Sequence, residues 1–451
     1  MKMNVEIVDS PYRAVEFSFA PSSLEELHPR AGKADFSLLQ DKSVLVEIKD
    51  GANVSTIEDV HPDLLVLSAL LIMGQTRTET LELPFTPSAL IQERVKSLFK
   101  LELLGPAECS PSPARIAGGV PGLAFSGGID SCAALVLLPT DTVSVFMLRD
   151  TGAVARAGLY RPEAAIASVE AVANTGRHCV SLRSNVETIR TPIGFPVDWS
   201  NALPLVVNAD SLRLGSISFG TVLESAVSLG KYEYSELTAR TIYSRWAPIF
   251  EAAGVQMSLP VAGLSEVSTS SIVRRAATFT KPQSCVRGVP GVPCGRCFKC
   301  FRKRLTDWAL GGTPMTDEEI RTNATSREVT TRLLQTPIHH EIGIAWAVSR
   351  ITSDNPIVEA LRKRAKAIIE HTSDLGYLER HYAANFETMV PLALQSSVRT
   401  EISKLLPDME MSDVGSVRSW NIRDLPVDPL YIEGVEATSK ALEQLSLEAN
   451  S

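Results

Sequence analysis

The stretch that most limits what this chain can become is Ser126-Gly127-Gly128-Ile129-Asp130-Ser131. An apolar run ending Gly122-Leu123-Ala124-Phe125 precedes it, and Cys132-Ala133-Ala134-Leu135-Val136-Leu137-Leu138 follows it. The first run reads as a strand and the second as a buried helix, so the residues between form a short glycine turn. That geometry suits phosphate. Paired glycines let backbone N–H groups approach an anion with no Cβ in the way. The helix start adds unsatisfied N–H donors and the positive end of a dipole. Ser126 and Ser131 supply hydroxyls, and Asp130 can hold a divalent metal beside the phosphates. An ordinary glycine turn is the bland alternative, but five of the six positions are specified as S-G-G-x-D-S. The Walker pattern and the dinucleotide fingerprint G-x-G-x-x-G are both absent.

Cys285, Cys294, Cys297 and Cys300 form a second signal, C-x8-C-x2-C-x2-C. Four thiolates are the ligand count of a closed tetrahedral zinc site. Gly288, Pro290, Gly291 and Pro293 favour a turning loop that folds the ligands together. Cys297 and Cys300 open a predicted helix through Trp308, and their spacing puts both thiolates on one face of its first turn. An iron–sulfur cluster or disulfides are the alternatives. The sequence shows no signal peptide, so a reducing, cytoplasmic setting is expected and disulfides are not. Cys109, Cys132 and Cys179 are scattered; Cys132 reads as a small apolar residue that packs its helix rather than as a sulfur carrier.

The turn resembles the pyrophosphate loop of the N-type ATP pyrophosphatases. The pairing of S-G-G-x-D-S with C-x8-C-G-x-C-x2-C, followed by Phe301-Arg302-Lys303, resembles the 7-cyano-7-deazaguanine synthases within that superfamily. The resemblance runs roughly from Pro121 to Gly312, under half of the chain. It implies an ATP-dependent carbon–nitrogen ligase that uses Mg²⁺ and Zn²⁺. Ser126, Gly127, Gly128, Ile129, Asp130 and Ser131 would hold the β and γ phosphates, with Asp130 and Ser131 closest to the chemistry. An acceptor, a carboxylate on a small molecule or a macromolecule, would attack the α phosphorus and release pyrophosphate. Ammonia or an amine would then displace AMP. RNA thiolation through an adenylylated oxygen is the runner-up, and a non-catalytic nucleotide-binding partner is the third reading.

From Gly122 strand and helix alternate, which predicts an α/β fold with a doubly wound parallel sheet. Strands are expected at Thr142–Met147, Cys179–Leu182, Leu214–Gly220 and Val255–Pro260. Helices are expected at Pro162–Asn174, Asn201–Leu212 and Glu233–Ala253. Ligands in such sheets sit at the carboxyl ends of strands. That rule nominates Met147 and Arg149 for adenine and ribose, and Phe219 and Gly220 for the adenylate and acceptor. Gly263 to Val267 resembles the loop before the substrate-side helix of the family, and Arg274 and Arg275 fall on that helix.

The chain has 451 residues, of which 44% are apolar, enough for two or three domains. Residues 1 to 115 read as an α+β module, 116 to 312 as the nucleotide domain with the cysteine loop, and 313 to 451 as a mainly helical module. The flanking modules are candidate surfaces for a protein partner. A net charge of −8 argues against broad nucleic-acid affinity. The cluster Arg296, Lys299, Arg302, Lys303 and Arg304 could face RNA or simply solvent. The longest apolar piece, Leu64 to Met73, is too short to span a bilayer and reads as a buried helix. His339-His340-Glu341 invites a metalloprotease reading, but Ile344 stands where H-E-x-x-H needs a second histidine, so a helix start with exposed histidines is expected. The oligomeric state is open, with a homodimer one option.

Overall fold

In the computed structural model all residues are described except 29–36, 39–42, 53, 75, 107–118, 151–159, 231–232, 277–281, 373 and 451. The strands are β1 (Lys2–Val8), β2 (Ala14–Ala20), β3 (Ser37–Leu38), β4 (Ser43–Glu47), β5 (Thr80–Glu82), β6 (Glu102–Leu104), β7 (Val120–Phe125), β8 (Val143–Arg149), β9 (Cys179–Ser184), β10 (Arg190–Thr191), β11 (Leu214–Ser218) and β12 (Gln256–Ser258). Ten of them form one sheet in the order β12-β11-β7-β8-β9-β4-β2-β1-β5-β6, and β3 pairs with β10.

The half of the sheet from β12 to β9 is wholly parallel. Its central strands are continuous apolar runs buried on both faces, as parallel strands must be. Counted from β7 in chain order, the spatial order is 3-2-1-4-5. The chain steps from β7 to β8 to β9 in one direction, then returns to β11 and β12 on the other side. Right-handed crossovers taken in opposite directions put their helices on opposite faces. The strand order reverses between β7 and β11, the switch point of this block.

The first hundred residues continue this sheet. Val46 of β4 pairs antiparallel with Ser184 of β9, and the Leu45 amide donates to Asn185 Oδ1 at 2.8 Å. Asn208, itself buried, accepts from the Lys49 amide at 2.8 Å and donates to the Glu47 carbonyl at 3.0 Å. The helix Pro62–Met73 is buried from Asp63 to Met73 and packs on the helices Leu203–Val207 and Ala247–Ala252. Among the described residues no helix is long and apolar enough to cross a membrane. The expected boundary between the first two modules, at residues 115 and 116, lies outside the described residues.

Two expected helices, and one stretch of the expected helical module, are broken. Residues 201–212 split into Leu203–Val207 and Ala209–Leu212 because the Asn208 side chain turns back to the Pro204 carbonyl and across to β4. Residues 233–253 become short pieces, Thr241–Ser244 and Ala247–Ala252, with Arg240 extended and Pro248 in the first turn of the second. Residues 318–334 divide at Ser326, which caps Arg327–Leu333 by accepting from the Val329 amide. Beyond residue 313 the chain is mainly helical, as expected, and includes Glu341–Arg350, Pro356–Thr372, Leu392–Leu405 and Pro429–Asn450. These helices grip the centre of the molecule. The Tyr382 amide donates to the Gly263 carbonyl at 2.8 Å, and the Leu259 amide to the Met389 carbonyl at 2.8 Å.

Candidate functional site

The turn after β7 lies at the switch point. Gly127 has φ +70, and a Cβ there would come within 2.9 Å of Ser168 Oγ. Gly128 caps the helix Ile129–Leu137. The Ser131 hydroxyl donates to the Gly128 carbonyl at 3.0 Å, accepts from the Ser126 amide at 3.3 Å and lies 3.1 Å from the Ser126 hydroxyl. The two serines thus brace the turn, Ser126 from its exposed side and Ser131 from within. On the far side of the switch point, Gly220 comes so close that a Cβ would sit 3.0 Å from the Ser131 amide nitrogen.

Asp130 accepts from Thr269 Oγ1 at 2.8 Å and faces Lys303 Nζ at 3.4 Å. Thr269 belongs to the helix Glu266–Arg275, which Ser265 caps by accepting from the Val267 and Ser268 amides. Lys303 also lies 3.6 Å from Glu266, and Arg302 hydrogen-bonds the same carboxylate. Burial raises the cost of ionising Glu266, but Arg302 and Lys303 outweigh it and hold the carboxyl below the usual range. His340 Nδ1 stands 3.4 Å from Glu266, and burial pushes its pKa down to about 3, so the imidazole is neutral. Glu224 completes the group. Both its oxygens accept from the Glu266 amide, at 3.0 and 3.1 Å, and burial together with the neighbouring Glu266 raises its pKa to about 8.

The four cysteines converge. Their sulfurs all lie within 4.8 Å of one another, with Cys297 and Cys300 at 3.4 Å and Cys294 and Cys300 at 3.8 Å. None forms a disulfide. The helix Phe298–Ala309 starts at Cys297, whose sulfur accepts from the Cys300 amide, and the Cys294 amide donates to Cys285 Sγ. Such a cage could hold one metal ion. Of the basic run beside it, Arg296 and Lys299 are exposed, and the other three are engaged within the protein. Arg302 and Lys303 are buried on Glu266, and Arg304 pairs with Asp307 and Glu319.

Two cavities flank the turn. A crevice of about 270 Å³ is lined by Ser126, Asp130, Ser131, Asp198, Asn201 and Gly220, among others. Asn201 Oδ1 is buried there without a hydrogen-bond partner. A second cavity of about 500 Å³ runs from Ile129 past Ser284, Lys299 and Lys303 to Cys300.

The other nominated residues divide. Met147 is buried in the core. Arg149 is taken up by Glu187 at 3.4 Å and lies over the rings of Tyr160 and Phe195, so its charge is already matched. Phe219 packs edge-on against Trp199 and Phe250, with its backbone at the crevice. Arg274 pairs with Asp307 at 2.5 Å, and Arg275 donates to the Leu405 carbonyl. Cys132 and Cys179 are buried, which raises both thiol pKa values, Cys179 to about 12. Cys109 lies outside the described residues. His340 is less than one-fifth exposed instead of standing in solvent, and Glu341 is buried against Arg364 and Tyr431. Thr269, Ser284, Asn201 and Glu224 went unnoticed in the sequence. Only Ser284 carried a signal there, being the neighbour of a cysteine in the candidate metal cage.

A family model described as "Family of unknown function (DUF6395)" matches residues 245–421. The matched span contains the four cysteines, Glu266, Lys303 and His340, and leaves the 126–131 turn outside. No curated protein and no solved structure matches the chain.

Proposed function

We propose that this protein is an ATP-dependent adenylating ligase of the ATP-pyrophosphatase type, similar to the 7-cyano-7-deazaguanine synthases. The observation that carries the reading is the turn 126–131 at the switch point of a 3-2-1-4-5 parallel block, where doubly wound sheets bind nucleotides. The turn's glycines, Ser126 and Ser131 would hold the phosphates, and Asp130 would hold the metal that accompanies them. Mg²⁺, when bound, neutralises phosphate charge. A carboxylate acceptor attacks the α phosphorus, the α–β bridge breaks, and pyrophosphate leaves. Ammonia or an amine then displaces AMP from the adenylate. Positioning and charge neutralisation carry the rate, so no side chain of unusual proton affinity need touch the reacting atoms.

Zinc is the metal we assign to Cys285, Cys294, Cys297 and Cys300. At a Zn–S distance of about 2.3 Å a tetrahedron separates its sulfurs by about 3.8 Å, against 3.8 Å for Cys294–Cys300 and 3.4 Å for Cys297–Cys300. An iron–sulfur cluster puts its own atoms between the ligands and spreads them further. The sulfur-transfer reading of the site is disfavoured by the burial of Cys132 and Cys179.

Incubated with ATP and Mg²⁺ alone, the protein is expected to release AMP and pyrophosphate slowly. Asp130→Ala should abolish that release with an unchanged circular dichroism spectrum. Formation of ADP and phosphate, or undiminished pyrophosphate release by the variant, would refute the assignment.

A further inference from the structure

The cysteine loop touches the phosphate turn at several points. The Gln283 amide donates to the Gly127 carbonyl at 2.7 Å. The Ser284 hydroxyl accepts from the Ile129 amide at 3.2 Å. A hydroxyl that accepts in this way still has its own proton to donate. The open face of Gly128 is ringed by three polar atoms. A Cβ built there would lie 3.4 Å from Ser126 Oγ, 3.7 Å from Ser284 Oγ and 3.8 Å from Lys299 Nζ. Two hydroxyls and an ammonium around a side-chain-free helix start make a cradle for an oxyanion. Ser284 and Lys299 both also line the cavity of about 500 Å³.

We propose that Ser284 and Lys299 are phosphate ligands, and that the metal at the four cysteines holds them in place, so that nucleotide binding depends on the metal. The inference rests on the nucleotide reading of the turn. Its basis is chain connectivity. Ser284 is bonded to Cys285, and Lys299 stands between Cys297 and Cys300. The loop from Cys285 to Cys297 has almost no regular structure of its own, only an isolated bridge between Val289 and Val292. A loop of this kind, rich in glycine and proline, keeps its shape through its ligand bonds. Lys299 makes no ion pair among the described residues, whereas Lys303, one turn further on, is engaged by Asp130 and Glu266. The metal thus fixes one uncommitted cation and one hydroxyl at the mouth of the phosphate turn.

The test is calorimetric titration of the full-length, metal-loaded protein with inorganic pyrophosphate and with a non-hydrolysable ATP analogue. Lys299→Met should weaken both by about tenfold or more, as loss of a charge-assisted contact does. Lys299→Arg should recover most of that loss, and Ser284→Ala should weaken binding by a few fold. Chelation should cost at least as much as Lys299→Met, and added Zn²⁺ should restore it. Binding by the parent protein that is unchanged in Lys299→Met and Ser284→Ala, with the same thermal midpoint, would overturn this inference and leave the nucleotide reading standing. Failure of the parent protein to bind either probe would overturn the nucleotide reading itself. If chelation unfolds the chain, the two variants decide.

Discussion

Gly220, at the end of β11, lies against the backbone of Ser131 at the start of the helix after β7. A methyl group on Gly220 would approach the Ser131 nitrogen to 3.0 Å and the Asp130 carbonyl carbon to 3.1 Å. The segment after β11 and the start of the helix after β7 therefore meet through bare backbone beside the crevice.

Gly220→Ala should push the 126–131 turn off its position. Backbone on the other side cannot swing away as a flexible side chain can. The expected cost is about 1–3 kcal/mol of stability, as for overpacking elsewhere, together with weaker binding of an ATP analogue. Urea denaturation and calorimetry measure the two effects. Binding equal to that of the parent protein would show that the contact is slack.

Glu266→Ala should be strongly destabilising. It leaves Arg302 and Lys303 buried with a common partner removed. Breaking a buried ion pair from one side costs about 3–5 kcal/mol. A loss below about 1 kcal/mol in chemical denaturation would contradict the packing of this cluster.

Glu224 should give the protein a pH dependence whose sign follows from its burial. Its carboxyl ordinarily titrates near 4.5 and is pushed up to about 8 in the folded chain, chiefly by burial and then by Glu266. The folded state therefore holds a proton that the unfolded chain has released. The contribution is complete below about pH 4.5 and is lost as pH rises toward about 8. Glu224→Gln should flatten stability over that window relative to the parent protein. Parallel stability curves for the two proteins would rule out the raised carboxyl.

Purified protein should carry about one zinc ion per chain, read by elemental analysis. Cys300→Ser should reduce that content severely and lower the thermal midpoint. Full metal content in the variant would move the ion away from this cage.

The centre of the fold was legible because it is locally determined. β7, the glycine turn and the helix that follows are written in consecutive residues, and so is the cysteine spacing. What could not be read depends on contacts across long stretches of chain. Asn208 breaks a helix because Lys49 and Glu47 come to it from a distant strand. Arg149 ends β8, but Glu187 and two rings claim its charge. Thr269 and Ser284 join the site only because their elements fold over the turn. His340 likewise faces Glu266 from a helix whose sequence says nothing of that partner.

The pairing of β4 with β9 has a consequence for handling the protein. A fragment begun at Val120 would leave one rim of β9 with its amides and carbonyls bare, a template for joining other chains edge to edge. Such a truncation should precipitate or self-associate even where its interior packs correctly, since the first hundred residues act as the hem of the fabric.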